Sequence, residues 1–207
     1  MRALTANVVM ACVVSALVSS AGADDRSKPL AAAAFSLCER VDDTPEGDRT
    51  ERIARLEEGV GMGEAAVAAD PSDARAYVAL GCNLGKQLNL SGLSWRSLGR
   101  LRRLREAIDR AYALTPADPD VLIAKGEIIR RLPAPLGGDK AAGLVLIRRA
   151  VEVAPDHVGA RLHLAHAMAE DHVPEARVQV REALELAERC GAERDRSEAR
   201  ALLAALE

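Results

Sequence analysis

The chain is almost devoid of aromatic side chains. One Trp, two Tyr and one Phe make up 2% of its 207 residues. A stacking platform for single-stranded nucleic acid is built from such rings, so that function is excluded. An excess of one charge is also lacking. The 28 Lys+Arg stand against 31 Asp+Glu, and a net charge of -3 gives no electrostatic footprint for a phosphate backbone. Cysteine is scarce: Cys12, Cys38, Cys82 and Cys190 are widely spaced, with no disulfide framework and no zinc-type pairing in the sequence. Strand signals are missing too, since few β-branched runs alternate with polar residues. Gly-x-Ser-x-Gly, a P-loop ending and His-Glu-x-x-His are all absent. These absences point away from an enzyme and from any cofactor.

What is present favours helices. Apolar residues reach 49%, mostly Ala, Leu and Val, interspersed with Arg and Glu. The first segment reads as an export signal. Arg2 supplies the positive start, Val8 to Val18 is almost wholly apolar, and Ala21-Gly22-Ala23 is a small-residue cleavage site. Residues 1–23 are therefore expected to be a signal peptide, with a periplasmic or secreted mature protein. A lipoprotein anchored through Cys12 is the lesser alternative, because it would leave an apolar Val13–Ala23 tail exposed. No later run is apolar and long enough to span a membrane. An oxidising compartment permits disulfides among Cys38, Cys82 and Cys190. Their spacing favours three separate buried or half-buried thiols, with the pairing left open.

A repeat emerges along the chain. Pro71, Pro116 and Pro155 each follow an Ala five residues earlier (Ala66, Ala111, Ala150) and precede a small residue ten later (Gly81, Gly126, Ala165). Proline ends one helix, and the nearby Asp73, Asp118 or Asp156 opens the next. The small residues let paired helices approach, with large apolar neighbours filling the grooves. One such pair cannot bury its apolar face alone, so units must stack. Helices are expected at Leu30–Arg40, Arg49–Ala69 (weakened by Gly59, Gly61 and Gly63), Asp73–Leu88, Leu93–Leu114, Pro119–Leu132, Lys140–Val153, His157–Glu170, Pro174–Cys190 and Arg194–Leu206. Residues 24–47 form an N-terminal helix and linker, and 48–207 the repeat domain.

This pattern resembles the tetratricopeptide (TPR) repeat, and predicts an all-α solenoid of antiparallel helix pairs in about three to four units. The spacing is stretched: 45 residues from Pro71 to Pro116 and 39 from Pro116 to Pro155, against about 34. The extra length includes the breaker run Pro133-Ala134-Pro135-Leu136-Gly137-Gly138. With Asn83-Leu84 and the Arg148-Arg149-Ala150 helix, that run makes residues Arg52–Leu203 similar to the T component of tripartite ATP-independent periplasmic (TRAP) transporters. The resemblance implies a periplasmic helical protein that associates with a solute-binding protein and forms a homo-oligomer. An envelope-assembly scaffold is the alternative.

By analogy with TPR arrays, the first helix of each unit lines the concave face. That face would carry Arg75, Val78, Cys82, Lys86, Asp120, Ile123, Glu127, Arg130, Leu162, His166 and Glu170. Mixed charged and apolar groups there suit a protein or peptide partner. His163, His166 and Glu170 share one helix face, with His172 nearby, and a small metal-binding exported enzyme is conceivable on them. A solvated or groove-lining polar face is the favoured account, so no metal is assigned. The arginine-rich stretch Arg96–Arg110, opened by Trp95, reads as a solvent face with Glu106 and Asp109 as partners.

Overall fold

The computed structural model describes residues 24–41, 48–92 and 97–207. The expected signal segment, Cys12, Trp95, Arg96 and most of the Val41–Gly47 linker lie outside the described residues. The described residues form helices and turns and no strand. In chain order the helices are α1 (Asp24–Arg40), α2 (Arg49–Ala69), α3 (Ala74–Ser91), α4 (Leu98–Leu114), α5 (Pro119–Arg131), α6 (Lys140–Val153), α7 (Val158–Met168), α8 (Val173–Cys190) and α9 (Glu193–Ala205).

The starts follow from capping chemistry. Asp48, Asp73, Asp118 and Asp139 each accept a hydrogen bond from a backbone N–H two or three residues on, satisfying donors that a helix start leaves without partners. His157 rather than Asp156 caps α7, its Nδ1 accepting from the Ala160 N–H at 3.1 Å. Helix α1 begins at Asp24, earlier than the expected Leu30, and runs through Pro29. Pro29 lies past the first turn and withholds one backbone bond from it, and the helix continues through it. The breaker run becomes a single 3-10 turn, Ala134–Leu136, closed by Gly137 at φ 81.

Each odd-numbered helix packs on the even-numbered helix that follows it, giving α1/α2, α3/α4, α5/α6 and α7/α8, with α9 against α8. The odd helices also touch in series, α1 to α3, α3 to α5, α5 to α7 and α7 to α9. Among the described residues no even helix makes comparable contact with another even helix. A row that touches itself while its partner row fans out is the inner side of a curved stack. The expected solenoid of helix pairs is thus present. The N-terminal helix expected within residues 24–47 is α1, and it packs on both α2 and α3 as an inner helix.

The small residues act where the helices cross. A Cβ on Gly126 would stand 2.7 Å from the Gly143 carbonyl oxygen, and one on Gly143 would stand 2.5 Å from the Gly126 carbonyl oxygen. Helices α5 and α6 therefore meet backbone to backbone. Gly59 and Gly63 do not weaken α2, which is continuous. Their missing side chains make room for α3: a Cβ on Gly59 would fall 2.1 Å from the Asn83 Oδ1, and one on Gly63 2.9 Å from the Leu80 Cα. Apolar clusters fill the spaces between. Leu84, Leu104 and Ile108 seal α3 against α4, and Ile147, Leu162, Leu164 and Val180 seal the α6–α8 region.

Candidate interaction groove

The groove is built on the inner row. Its N-terminal part is α1 laid along α3, the two running in the same direction. Ser27 of α1 donates to Asp73 Oδ2 at 2.8 Å. Further along, Asn83 Nδ2 donates to the Ala34 carbonyl at 2.9 Å and to its own helix at Ala79. At the far end Cys38 and Cys82 form a disulfide with Cα atoms 6.1 Å apart, and Lys86 Nζ donates to the Cys38 carbonyl at 2.9 Å. The expectation of three separate thiols is corrected here. The two cysteines are distant in sequence, but α1 folds onto α3 and brings their Cα atoms within bridging distance. Cys190 is a free, exposed thiol.

The C-terminal part is α5, α7 and α9, joined by imidazole–carboxylate pairs. His157 donates from Nε2 to Asp120 Oδ1 at 3.1 Å; its Nδ1 is already an acceptor at the α7 cap, which fixes the neutral tautomer. His163 Nδ1 meets Glu127 Oε1 at 3.2 Å, and His166 Nε2 meets Glu198 Oε1 at 3.1 Å. Glu127 also pairs with Arg131 at 2.7 Å and Arg130 at 3.7 Å. It is the most enclosed of these carboxylates, its side chain 12% exposed.

The electrostatics follow from those partners. The His157 hydrogen bond holds the Asp120 carboxyl below its usual range, and Asp120 in turn raises His157. Burial pushes the Glu127 carboxyl up, but the His163 hydrogen bond and the Arg131 and Arg130 guanidiniums outweigh it, and the net direction is down. His166 lowers Glu198 through its hydrogen bond. Asp195 moves the other way, raised by burial and by the neighbouring Glu198.

The residues expected to line the concave face divide into three groups. Arg75, Asp120, Glu127, Arg130 and His166 sit on the inner row with polar atoms at or near solvent. Val78, Ile123 and Leu162 are 7%, 7% and 2% exposed and pack between helices, so they hold the groove rather than offer it. Cys82 and Lys86 are engaged with the end of α1. Glu170 points toward Lys140 of α6, 3.8 Å away. His163 and His166 turn to different carboxylates, and His172 to Glu175 at 3.4 Å. Among the described residues no group of three or more His, Cys, Asp or Glu is placed to hold a metal ion.

Three participants went unread in the sequence: His157 as a cap, Asn83 as a tie to α1, and Asp195 with Glu198 on α9. The signal for the last was there, since α9 follows α8 as a further odd helix. Arg194 of α9 donates to the Glu39 carbonyl at 2.6 Å and lies 3.8 Å from its carboxylate, linking the last helix to the first.

No protein-family model matches the chain, and no curated protein matches it in sequence. Solved structures do share its fold. A thermophilic TPR protein of Thermus thermophilus is similar over 88% of this chain and 98% of its own length, with 18% identity and a TM-score of 0.58. A mutant O-GlcNAc transferase of Thermobaculum terrenum is similar over 82% of this chain but 27% of its own, with 16% identity and a TM-score of 0.53. These likenesses are of fold, and they agree with the TPR-type solenoid of helix pairs.

Proposed function

We propose that this chain is an exported helical-repeat adaptor that holds a protein or peptide partner on its inner face, as an accessory component of a TRAP-type solute-uptake system. The observation that carries the reading is the inner row of odd helices. It sets Arg75, Asp120, Glu127, Arg130, His166 and Glu198 along one concave side, over a floor closed by Val78, Ile123 and Leu162. Curved repeat stacks use such faces for extended binding surfaces, and interspersed charges of both signs select a partner by pattern rather than by net charge. The Cys38–Cys82 disulfide supports export, because such bonds persist in oxidising compartments and are rare in reducing ones. The transport role rests on the TRAP T resemblance of Arg52–Leu203.

The test is capture of the tagged mature protein from envelope extract after mild cross-linking, read by mass spectrometry. Recovery of a periplasmic solute-binding protein, lost on the double change Glu127→Lys and His166→Glu, is the expected result. Recovery of envelope proteins unrelated to transport would favour the assembly-scaffold reading.

A further inference from the structure

The inner and outer rows spend their charges differently. On the inner row Glu39, Asp120, Glu127 and Glu198 each face an arginine or an imidazole of the chain itself. On the outer row several arginines face no carboxylate. Among the described residues Arg100 and Arg110 of α4, Arg148 and Arg149 of α6, and Arg181 and Arg189 of α8 have no ion-pair or hydrogen-bond partner. Of the carboxylates on these three helices, Glu152 and Glu185 are equally free. The others, Glu106, Asp109, Glu175, Glu182 and Glu188, are engaged by basic side chains.

The exposed apolar side chains divide the same way. Leu98, Val145, Val153 and Val178 lie on even helices, with Val145 at 63% exposure, and Phe35 lies on an odd one. Helices α6 and α8 place theirs in register. Val145 and Val178 are each the sixth residue of their helix, and Arg148 and Arg181 follow three residues on. Residues at that spacing share a helix face. The packed side of α6, with Gly143, Ile147 and Ala150, is turned into the stack. Equivalent positions of successive units line up across a repeat stack, so valine and arginine each recur along the convex side.

We propose that this convex side, centred on α6, rests on an anionic lipid surface, with Val145 entering the interface and the arginines meeting lipid phosphates. The contact is separate from the groove, and either reading can fail without the other.

Charge and shape choose this occupant. A guanidinium with no carboxylate in its own chain keeps its charge for an outside anion, and its planar donors match phosphate oxygens. Short aliphatic groups set between cations suit the headgroup boundary, where they need no pocket. An acidic protein would need an anchor residue and a cleft to fill, and isolated valines on a convex side supply neither. No described helix is long and apolar enough to cross a membrane, so the contact is peripheral and held largely by charge. Glu152 and Glu185, one turn beyond Arg148 and Arg181, keep it modest and sensitive to salt.

Co-sedimentation of the disulfide-bonded chain from residue 24 tests this without any protein partner. The probes are vesicles of phosphatidylcholine alone and vesicles with about one-third phosphatidylglycerol. Binding is expected to the anionic vesicles at roughly 50 mM salt and to disappear near 0.5 M. The Arg148→Gln, Arg149→Gln double variant should bind about thirtyfold more weakly, about fivefold for each guanidinium. Val145→Asp should weaken binding as well, each variant keeping native helix content by circular dichroism. Equal binding to neutral vesicles, no binding to anionic ones, or wild-type binding by the folded double variant would overturn the proposal. A discrete protein adduct from a photo-reactive group at Val145 in the host cell would also overturn it, and would give the face to an acidic protein instead.

Discussion

The two ends of the inner row are held by different chemistry. At the N-terminal end a covalent bond, a buried carboxamide and a lysine fasten α1 to α3. At the C-terminal end half-exposed imidazole–carboxylate pairs join α5, α7 and α9. The first set responds to redox state and hardly to acidity. The second responds to protons and salt, because exposed pairs are individually weak and screened. Apart from the Arg194 side chain's contact with Glu39, α1 and α9 do not pack on each other, so the two ends can differ in rigidity without sharing one core. In this chain the rigid end is the one whose two sulfurs are brought together from 44 residues apart.

The largest effect should come from breaking the covalent end. Replacing Cys38 and Cys82 with Ser opens a loop of that separation, and unfolding in urea is expected to show a loss of about 4 kcal/mol. Exchange protection should drop in α1 first and in α9 least. Next is the crossing of α5 and α6. Gly126→Ala places a methyl against the Gly143 carbonyl and Ile147, and backbone cannot yield as a side-chain tip can. A cost of about 2 kcal/mol is expected despite the better helix propensity of Ala. Asn83→Ala should follow at about 1 kcal/mol, since it removes the buried hydrogen bond that ties α3 to the Ala34 carbonyl of α1. Both are read from denaturant midpoints at unchanged slope.

The smallest expected effect is the pH dependence of stability, and it sharpens the comparison most. The lowered carboxylates, Asp120, Glu127 and Glu198, contribute above their unfolded values and lose that contribution as pH falls through their folded ones. His157 is raised, so its contribution is complete below its unfolded value and is lost as pH rises through the folded one. The C-terminal end should therefore be firmest between about pH 4.5 and 6.5. His157→Gln should flatten the alkaline side of a melting-temperature profile; the slope is the readout, since the change also removes the α7 cap. A variant that keeps the wild-type slope would assign that limb to other groups.

Much of the fold was legible because its signals are local. Pro71, Pro116 and Pro155 stop helices, Asp73 and Asp118 start them, and the small residues at Gly81 and Gly126 mark crossings that any helix-pair stack needs. The disulfide was not legible, since Cys38 and Cys82 meet only after α1 has docked on α3, and sequence spacing carries no trace of that docking. The same limit hid the imidazole–carboxylate pairs. The spacing of His163 and His166 shows a shared helix face, but their partners lie on other helices, 36 and 32 residues away. Val78, Ile123 and Leu162 show the converse: they lie on α3, α5 and α7, but their burial depends on how tightly neighbouring units close.

The central claim is that the inner row of odd helices is the surface that takes a partner. Site-specific photo-crosslinking in the native host cell tests it, with the reactive group placed in turn at Asp120, Arg130 and His166 on the inner row and at Val145, Arg149 and Val178 on the even helices. Discrete adducts of one partner are predicted from the inner positions, and none from the outer ones. Adducts from the outer positions with the inner ones silent would contradict it.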